Sequence, residues 1–173
     1  MKCRTLLLLA SWMIILQGCY SLKGISISPT IQSFYVEQFQ NGVVNAPPDI
    51  AQRFSDVLKD RITRNTRLDY DESVPDIEFS GVVSSFRVQS VAPERNTNED
   101  GNPEFGSALN RLNISVEVQY LNNQDDEDLW TQTFSFWEDY DNETVLSDVQ
   151  DELIDNIFEQ ITTDIFNKSF TNW

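Results

Sequence analysis

The sequence predicts an α+β domain of order β-α-β-β-β-α, with two helices packed on one face of a four-stranded mixed sheet. Two patterns carry that prediction. Apolar residues recur every three or four positions in two separate stretches, the mark of amphipathic helices, and at every second position in another, the mark of a strand with one wet face. Length supplies a third constraint: 173 residues with no internal repeat and no Pro/Gly-rich linker suit one domain, placed at 25–173.

Residues 25–39 open the domain with Ile25, Ile27, Ile31, Phe34, Val36 and Phe39 in a β-favouring context, interrupted at Pro29. Asn41-Gly42 and Pro47-Pro48 then break the chain. From Asp49 the period changes, and Ile50, Phe54, Val57, Leu58 and Ile62 define a helix ending near Asn65. Pro48 suits its first turn, while Lys59, Arg61, Arg64 and Arg67 suit the negative end of its dipole. Strands are expected at 76–90, 108–121 and 129–137. In the second, Leu112, Ile114, Val116, Val118 and Tyr120 alternate with Asn113, Ser115, Glu117 and Gln119. In the third, Trp130, Phe134 and Phe136 stand against Thr131, Thr133 and Ser135, after a polar hairpin loop at 122–128. The last helix, 147–169, carries the stripe Val149, Leu153, Ile157, Ile161 and Ile165, widened by Ile154, Phe158 and Phe166. Ser147 and Gln150 have the spacing of a capping box at its start.

The N-terminus sets the compartment. Lys2 and Arg4 precede an apolar run from Leu6 to Leu16, too short to span a bilayer but suited to a secretory signal. The run closes on Leu16-Gln17-Gly18-Cys19, which resembles the lipobox of bacterial lipoproteins, with cleavage between Gly18 and Cys19. Residues 1–18 are thus a signal peptide, Cys19 the lipidated first residue, and 19–24 a tether. Several acyl chains such as palmitate make a stable anchor where one chain holds weakly. Tyr20 stands where familiar inner-membrane lipoproteins carry Asp, and no acidic export cluster follows Cys19, which favours the periplasmic face of the outer membrane.

Composition narrows the chemistry. There are 28 acidic and 12 basic residues, a formal charge of −16, and no histidine. The charge opposes nucleic-acid binding. Without histidine, the commonest general base and the Ser-His and Cys-His pairs are missing. Removing residues 1–18 also removes Cys3 and two positive charges, leaving 155 residues at −18 with Cys19 lipidated and no free thiol. No Gly-rich phosphate loop or G-x-S-x-G elbow is present, so no enzyme and no cofactor are expected. Asn96, Asn98 and Asp100, with Gly101, match the start of a calcium loop, but Ser107 stands where a bidentate Glu is needed. The acidic run at 125–128 reads either as a cation site or as a solvated hairpin tip.

The polar stretch 89–107 is far longer than an ordinary hairpin loop, and such loops are functional or disordered. Arg87, Arg95 and Arg111 lie in or beside it. They either form a local anion contact in an acidic protein or pair with Glu94, Glu99 and Glu104. Residues 76–90 carry apolar side chains at both parities, Ile77, Phe79 and Val83 against Val82, Phe86 and Val88. That means either a strand covered on both sides or an apolar patch on the open sheet face.

Three stretches resemble one family. Gly24-Ile25-Ser26-Ile27-Ser28-Pro29, Leu109-Asn110-Arg111-Leu112 and the closing Asp164-Ile165-Phe166-Asn167-Lys168-Ser169-Phe170-Thr171-Asn172-Trp173 resemble LptE lipoproteins, and more narrowly a sequence-divergent branch with a short C-terminus. The resemblance covers nearly the whole mature chain. It implies two helices against a four-stranded sheet, tethered to the inner leaflet of the outer membrane. It also implies a plug inside the β-barrel LptD that helps to deliver lipopolysaccharide, with the loop at 89–107 reaching into the barrel. Basic residues in some members are linked to lipopolysaccharide contact, and here Arg87, Arg95, Arg111 and Phe105, by their place in or beside 89–107, are the candidate partner or lipopolysaccharide contacts. The alternative is another periplasm-facing outer-membrane lipoprotein, an accessory subunit of a wall synthase or a secretion pore.

Overall fold

Alternating apolar residues build the centre of the sheet. The computed structural model describes residues 27–92, 95–97, 103–105, 108–125 and 128–171. In chain order the elements are β1 (Ser33–Val36), β2 (Gln40–Asn41), α1 (Ile50–Asn65), β3 (Asp69–Tyr70), β4 (Ile77–Val91), β5 (Arg95–Thr97), β6 (Pro103–Phe105), β7 (Leu109–Asn122), β8 (Leu129–Asp141) and α2 (Leu146–Phe170). The main sheet runs β3-β1-β4-β7-β8, with β2 beside β4 beyond β1. Strands β1 and β2 run parallel to β4, and β3 parallel to β1, while β4, β7 and β8 are antiparallel neighbours. The sheet is mixed, as expected, but has six strands and not four.

Two local events account for the difference. The first predicted strand is split because the chain turns Phe39 into the core, where it is 2% exposed. Its ring meets Phe54 of α1 at 4.9 Å, and its backbone N–H donates to Ser55 Oγ at 2.9 Å. Residues before the detour pair as β1 and those after it as β2. Strand β3 then adds two residues on the far side of β1, where Asp69 N–H donates to the Gln32 carbonyl at 2.9 Å.

Both helices pack on one face of the sheet. Helix α1 buries Ile50, Ala51, Phe54, Ser55, Leu58 and Ile62, and α2 buries the predicted stripe from Leu153 to Phe166 together with Thr162 and Phe170. The helices meet through Phe54 and Phe158, edge to face at 5.0 Å. Each fully buried Ile, Leu or Phe contributes about 1.5–3 kcal/mol. Arg61 crosses between the helices, donating from Nε to Thr162 Oγ1 at 2.9 Å. Strand β7 supplies the sheet's share of the core. Leu112, Ile114, Val116 and Val118 are fully buried and Tyr120 is 3% exposed.

Helix ends depart from expectation. Pro48 and Asp49 form a turn ahead of α1, in which Ile50 N–H donates to the Pro47 carbonyl. Of the four basic residues assigned to the helix dipole, only Arg64 lies in the last turn. Arg61 is drawn to α2, and Lys59 lies 3.3 Å above the Tyr70 ring. The capping box at Ser147 does not form. Val145 is the cap residue, no side-chain cap bond is made, and Ser147 Oγ bonds its neighbour Asp148 instead.

The largest correction concerns the face of β4. A bulge between Val83 and Ser85 inserts Ser84 without a partner on β7. Before it, Ile77, Phe79 and Val83 face the helices; after it, Phe86 and Val88 do, opposite Ile114 and Leu112. A bulge shifts side-chain parity by one residue. Phe86 and Val88 therefore contribute nothing to an apolar patch on the open face. Val88, 42% exposed, instead lines a cleft of about 530 Å³ with Val43, Phe86 and Leu146.

Gly81, two residues before Val83, is a second point of close approach. A Cβ there would sit 2.0 Å from the Glu117 carbonyl oxygen and 2.7 Å from the Phe39 ring. Gly81→Ala should therefore lower the unfolding free energy by about 1–3 kcal/mol. Urea unfolding followed by tryptophan fluorescence measures this, and an unchanged midpoint would refute the packing assigned to Phe39.

Candidate interaction surface

The open face of the sheet is polar by construction. The wet side of β7, from Asn113 to Gln119, is flanked by Ser80 and Ser85 of β4 and by Thr131, Thr133 and Ser135 of β8. Ser115 Oγ and Ser135 Oγ bond at 2.7 Å, and Ser84 Oγ donates to the Ser115 carbonyl at 3.3 Å. No helix covers this side among the described residues.

Charge and aromaticity concentrate at one end of it. Arg87, Asn113 and Trp137 form one cross-strand row, and Gln89, Arg111 and Asp139 the next. Arg111 bonds Asp139 in bidentate fashion, Nε to Oδ1 at 2.7 Å and NH2 to Oδ2 at 2.9 Å. Its guanidinium also lies 3.4 Å above the ring of Trp137, which is 45% exposed. The hydrogen bonds from Arg111 hold the Asp139 carboxyl below the usual aspartate range. Arg87 is exposed, sits diagonally beside Arg111, and has no ion pair among the described residues.

Two of the three predicted arginines are thus brought to one face, in different states. Arg111 is paired across strands with Asp139 and braces Trp137, while the side chains of Glu94, Glu99 and Glu104 fall outside the described residues. Arg87 is left as the uncompensated positive charge. Arg95 and Phe105 are directly opposite each other in the backbone ladder of β5 and β6. Asn96 lies in that ladder opposite Glu104, while Asn98 and Asp100 of the calcium-loop spacing fall outside the described residues. So do Gly18 and Cys19.

The stretch 89–107 is not one loop. The β4–β7 ladder continues to Val91 and Leu109, and the short β5–β6 ladder follows it. Trp137 lies on the wet face of the predicted strand 129–137 by its alternation, and Asp139 lies two residues beyond the end of that strand, where continued alternation puts it on the same face.

The opposite end of the sheet holds the start of the described chain. Ile27 lines a cleft of about 400 Å³ with Ile31, Tyr120, Trp130, Lys168 and Phe170. Asp76 ties this end together. Its Oδ2 accepts from Gln32 N–H at 2.7 Å and Ser33 N–H at 3.0 Å, and its Oδ1 from Gln124 Nε2 at 2.6 Å. These bonds, led by that from Gln32, hold the Asp76 carboxyl below its ordinary value despite opposing desolvation.

A family model for LptE, described as lipopolysaccharide-assembly, matches residues 31–169. No curated protein matches by sequence. Among solved structures, the hypothetical protein CT253 from Chlamydia trachomatis superposes with a TM-score of 0.50 at 8% identity, over 79% of this chain and 96% of that one. A minor lipoprotein from Acinetobacter baumannii gives 0.47 at 14%, over 82% and 98%. The rare lipoprotein B from Shewanella oneidensis gives 0.47 at 13%, over 78% and 92%. At these identities the CT253 likeness concerns the fold alone.

The Asp76 cluster sets a pH dependence. Because the folded carboxyl titrates below the unfolded one, its contribution is complete above the unfolded pKa, near 4, and fades as pH falls through the folded value. Asp76→Asn should therefore destabilise the protein at pH 7 and flatten the stability loss below about pH 4. Thermal melts of both proteins between pH 7 and 2 measure this. Parallel curves would show that Asp76 contributes no pH dependence.

Proposed function

The chain belongs to the LptE lipopolysaccharide-assembly family, a non-enzymatic lipoprotein family, and we propose that it plugs and helps assemble an LptD-like outer-membrane β-barrel for lipopolysaccharide export. In this role Cys19 carries the lipid anchor on the periplasmic face, and residues 19–24 are the tether.

The polarity of the β4–β7 ladder carries the proposal. Ile27 and the Asp76 cluster lie at one end, and the β5–β6 hairpin at the other. At about 3.3 Å per residue, Ile77 to Val91 covers about 45 Å, more than the roughly 30 Å of a bilayer's hydrocarbon core. A domain tethered at the inner leaflet and aligned along a barrel axis carries the hairpin towards the outer one. The open sheet face fits such a host, because its Ser, Thr, Asn and Gln side chains can be wetted in a polar barrel interior.

Lipopolysaccharide contact is assigned to the distal surface. Arg87 supplies the free guanidinium, Arg111 holds the Trp137 platform, and Arg95 and Phe105 extend the site on the hairpin. Because the chain as a whole is at −16, the attraction for an anionic lipid must be local.

Two measurements test the role. Detergent extraction and pull-down at native levels should recover an LptD-like barrel with the protein; recovery of the protein alone would remove the proposal. Replacing 98–102 by a two-residue turn should change the unfolding free energy by less than about 1 kcal/mol, since loop length weighs little. The same variant should lose barrel assembly and surface lipopolysaccharide. An unfolded variant would assign the hairpin a structural role.

A further inference from the structure

Among the described residues, strand β8 ends the sheet and no strand pairs with its outer edge. The orientation of its backbone follows from two bonds. Asn142 N–H donates to the Ala108 carbonyl, continuing the β7–β8 ladder, and Asn123 N–H donates to the Asp76 carbonyl, continuing the β4–β7 ladder. Bonded pairs alternate along antiparallel strands. Even-numbered residues of β7 thus face β8, and odd-numbered residues of β8 turn their N–H and C=O groups away from the sheet. These are Leu129, Thr131, Thr133, Ser135 and Trp137 over the first nine residues.

Native edges are usually blunted by lysine, proline, bulges or short length. Here the β7–β8 register is unbroken from Leu109↔Asp141 to Leu121↔Leu129. Residues 129–137 contain no charge and no proline. Leu129 is 57% exposed, and Thr131, Thr133 and Ser135 are exposed as well. Among the described residues the distal edge of β4 is also without a partner strand, but it starts at a bulge and carries Arg87. The other end of the sheet, β3, has only two residues.

We propose that the β8 edge docks an extended strand from a protein partner, one with an uncharged middle and basic residues at both ends. Charge selects that occupant. The uncharged run is bracketed by Asp125 and Asp128 at one end and by Glu138, Asp139 and Asp141 at the other, with Asp164 of α2 beside Gln132 and Phe134. Lys168, 5.1 Å from the Trp130 ring, and Arg111, on Asp139, offset part of this, and the balance stays acidic. A second copy fits poorly. Antiparallel pairing through Thr133 would set Asp128 against Glu138 and Asp125 against Asp141, between chains that each carry −16. The matching strand has Lys or Arg ~10 positions apart, the length of the uncharged run.

The probe is a blocked eleven-residue peptide, Lys-Thr-Val-Thr-Val-Thr-Val-Thr-Val-Thr-Lys, added to the full chain in detergent at low salt. Binding should be saturable by the fluorescence of Trp130 and Trp137, and should slow amide exchange at Thr131, Thr133 and Ser135. A Glu-ended peptide and one N-methylated at alternate residues should each bind at least ten-fold more weakly. Thr133→Pro removes an outward N–H that β7 does not use, so the protein should stay folded and lose binding to the same extent. Equal binding of the control peptides, or protection elsewhere, would overturn the proposal. So would slow exchange at these amides before peptide is added, whether from the chain's own N-terminal segment or from a dimer seen in sedimentation.

Discussion

The structure depends on the alternation in β7. It is the long strand paired over nearly its whole length on both edges, with β4 on one side and β8 on the other. Its inward residues from Leu112 to Tyr120 form the floor on which both helices rest. A period of two leaves no freedom here, since slipping the strand by one residue would bury Glu117 and Gln119 and expose four fully buried aliphatic side chains. The wet face of the sheet and its two charged rows then follow from the same residues.

How much was legible in the sequence follows from where each partner lies. Strand β7 and helix α2 were legible because their patterns are local, and every residue of the predicted α2 stripe from Leu153 to Phe166 is buried. The split of the first strand was not. It depends on Phe39 reaching Phe54 and on the space left by Gly81, contacts that no periodicity announces. The capping box failed for a different reason: Ser147 and Gln150 have the right spacing, but the helix begins at Leu146, two residues too early for Ser147 to be its cap.

The candidate surface divides in the same way. Arg87 and Arg111 could be picked out by their rarity in an acidic chain, but not their difference in state. That difference comes from Asp139, 28 residues from Arg111 in sequence and adjacent across the ladder. Asp76 is a similar case. Nothing near it hints that Gln32, Ser33 and Gln124 converge on its carboxylate, because the two strand starts and the β7–β8 turn meet only in the folded sheet.

The bulge at Ser84 acts on β4 as a frameshift acts on a message. The same string of side chains is read in one phase up to Val83 and in the other from Ser85 onwards. Drawing Ser84 into the ladder would leave β4 paired with β7, yet would set Phe86 opposite Asn113 on the wet face and Arg87 opposite Leu112 on the core face. The chemical character of the distal surface is therefore written in the pairing of the strand as much as in its letters. Flattening the bulge would erase it while every one of the residues that compose it stayed in the sequence.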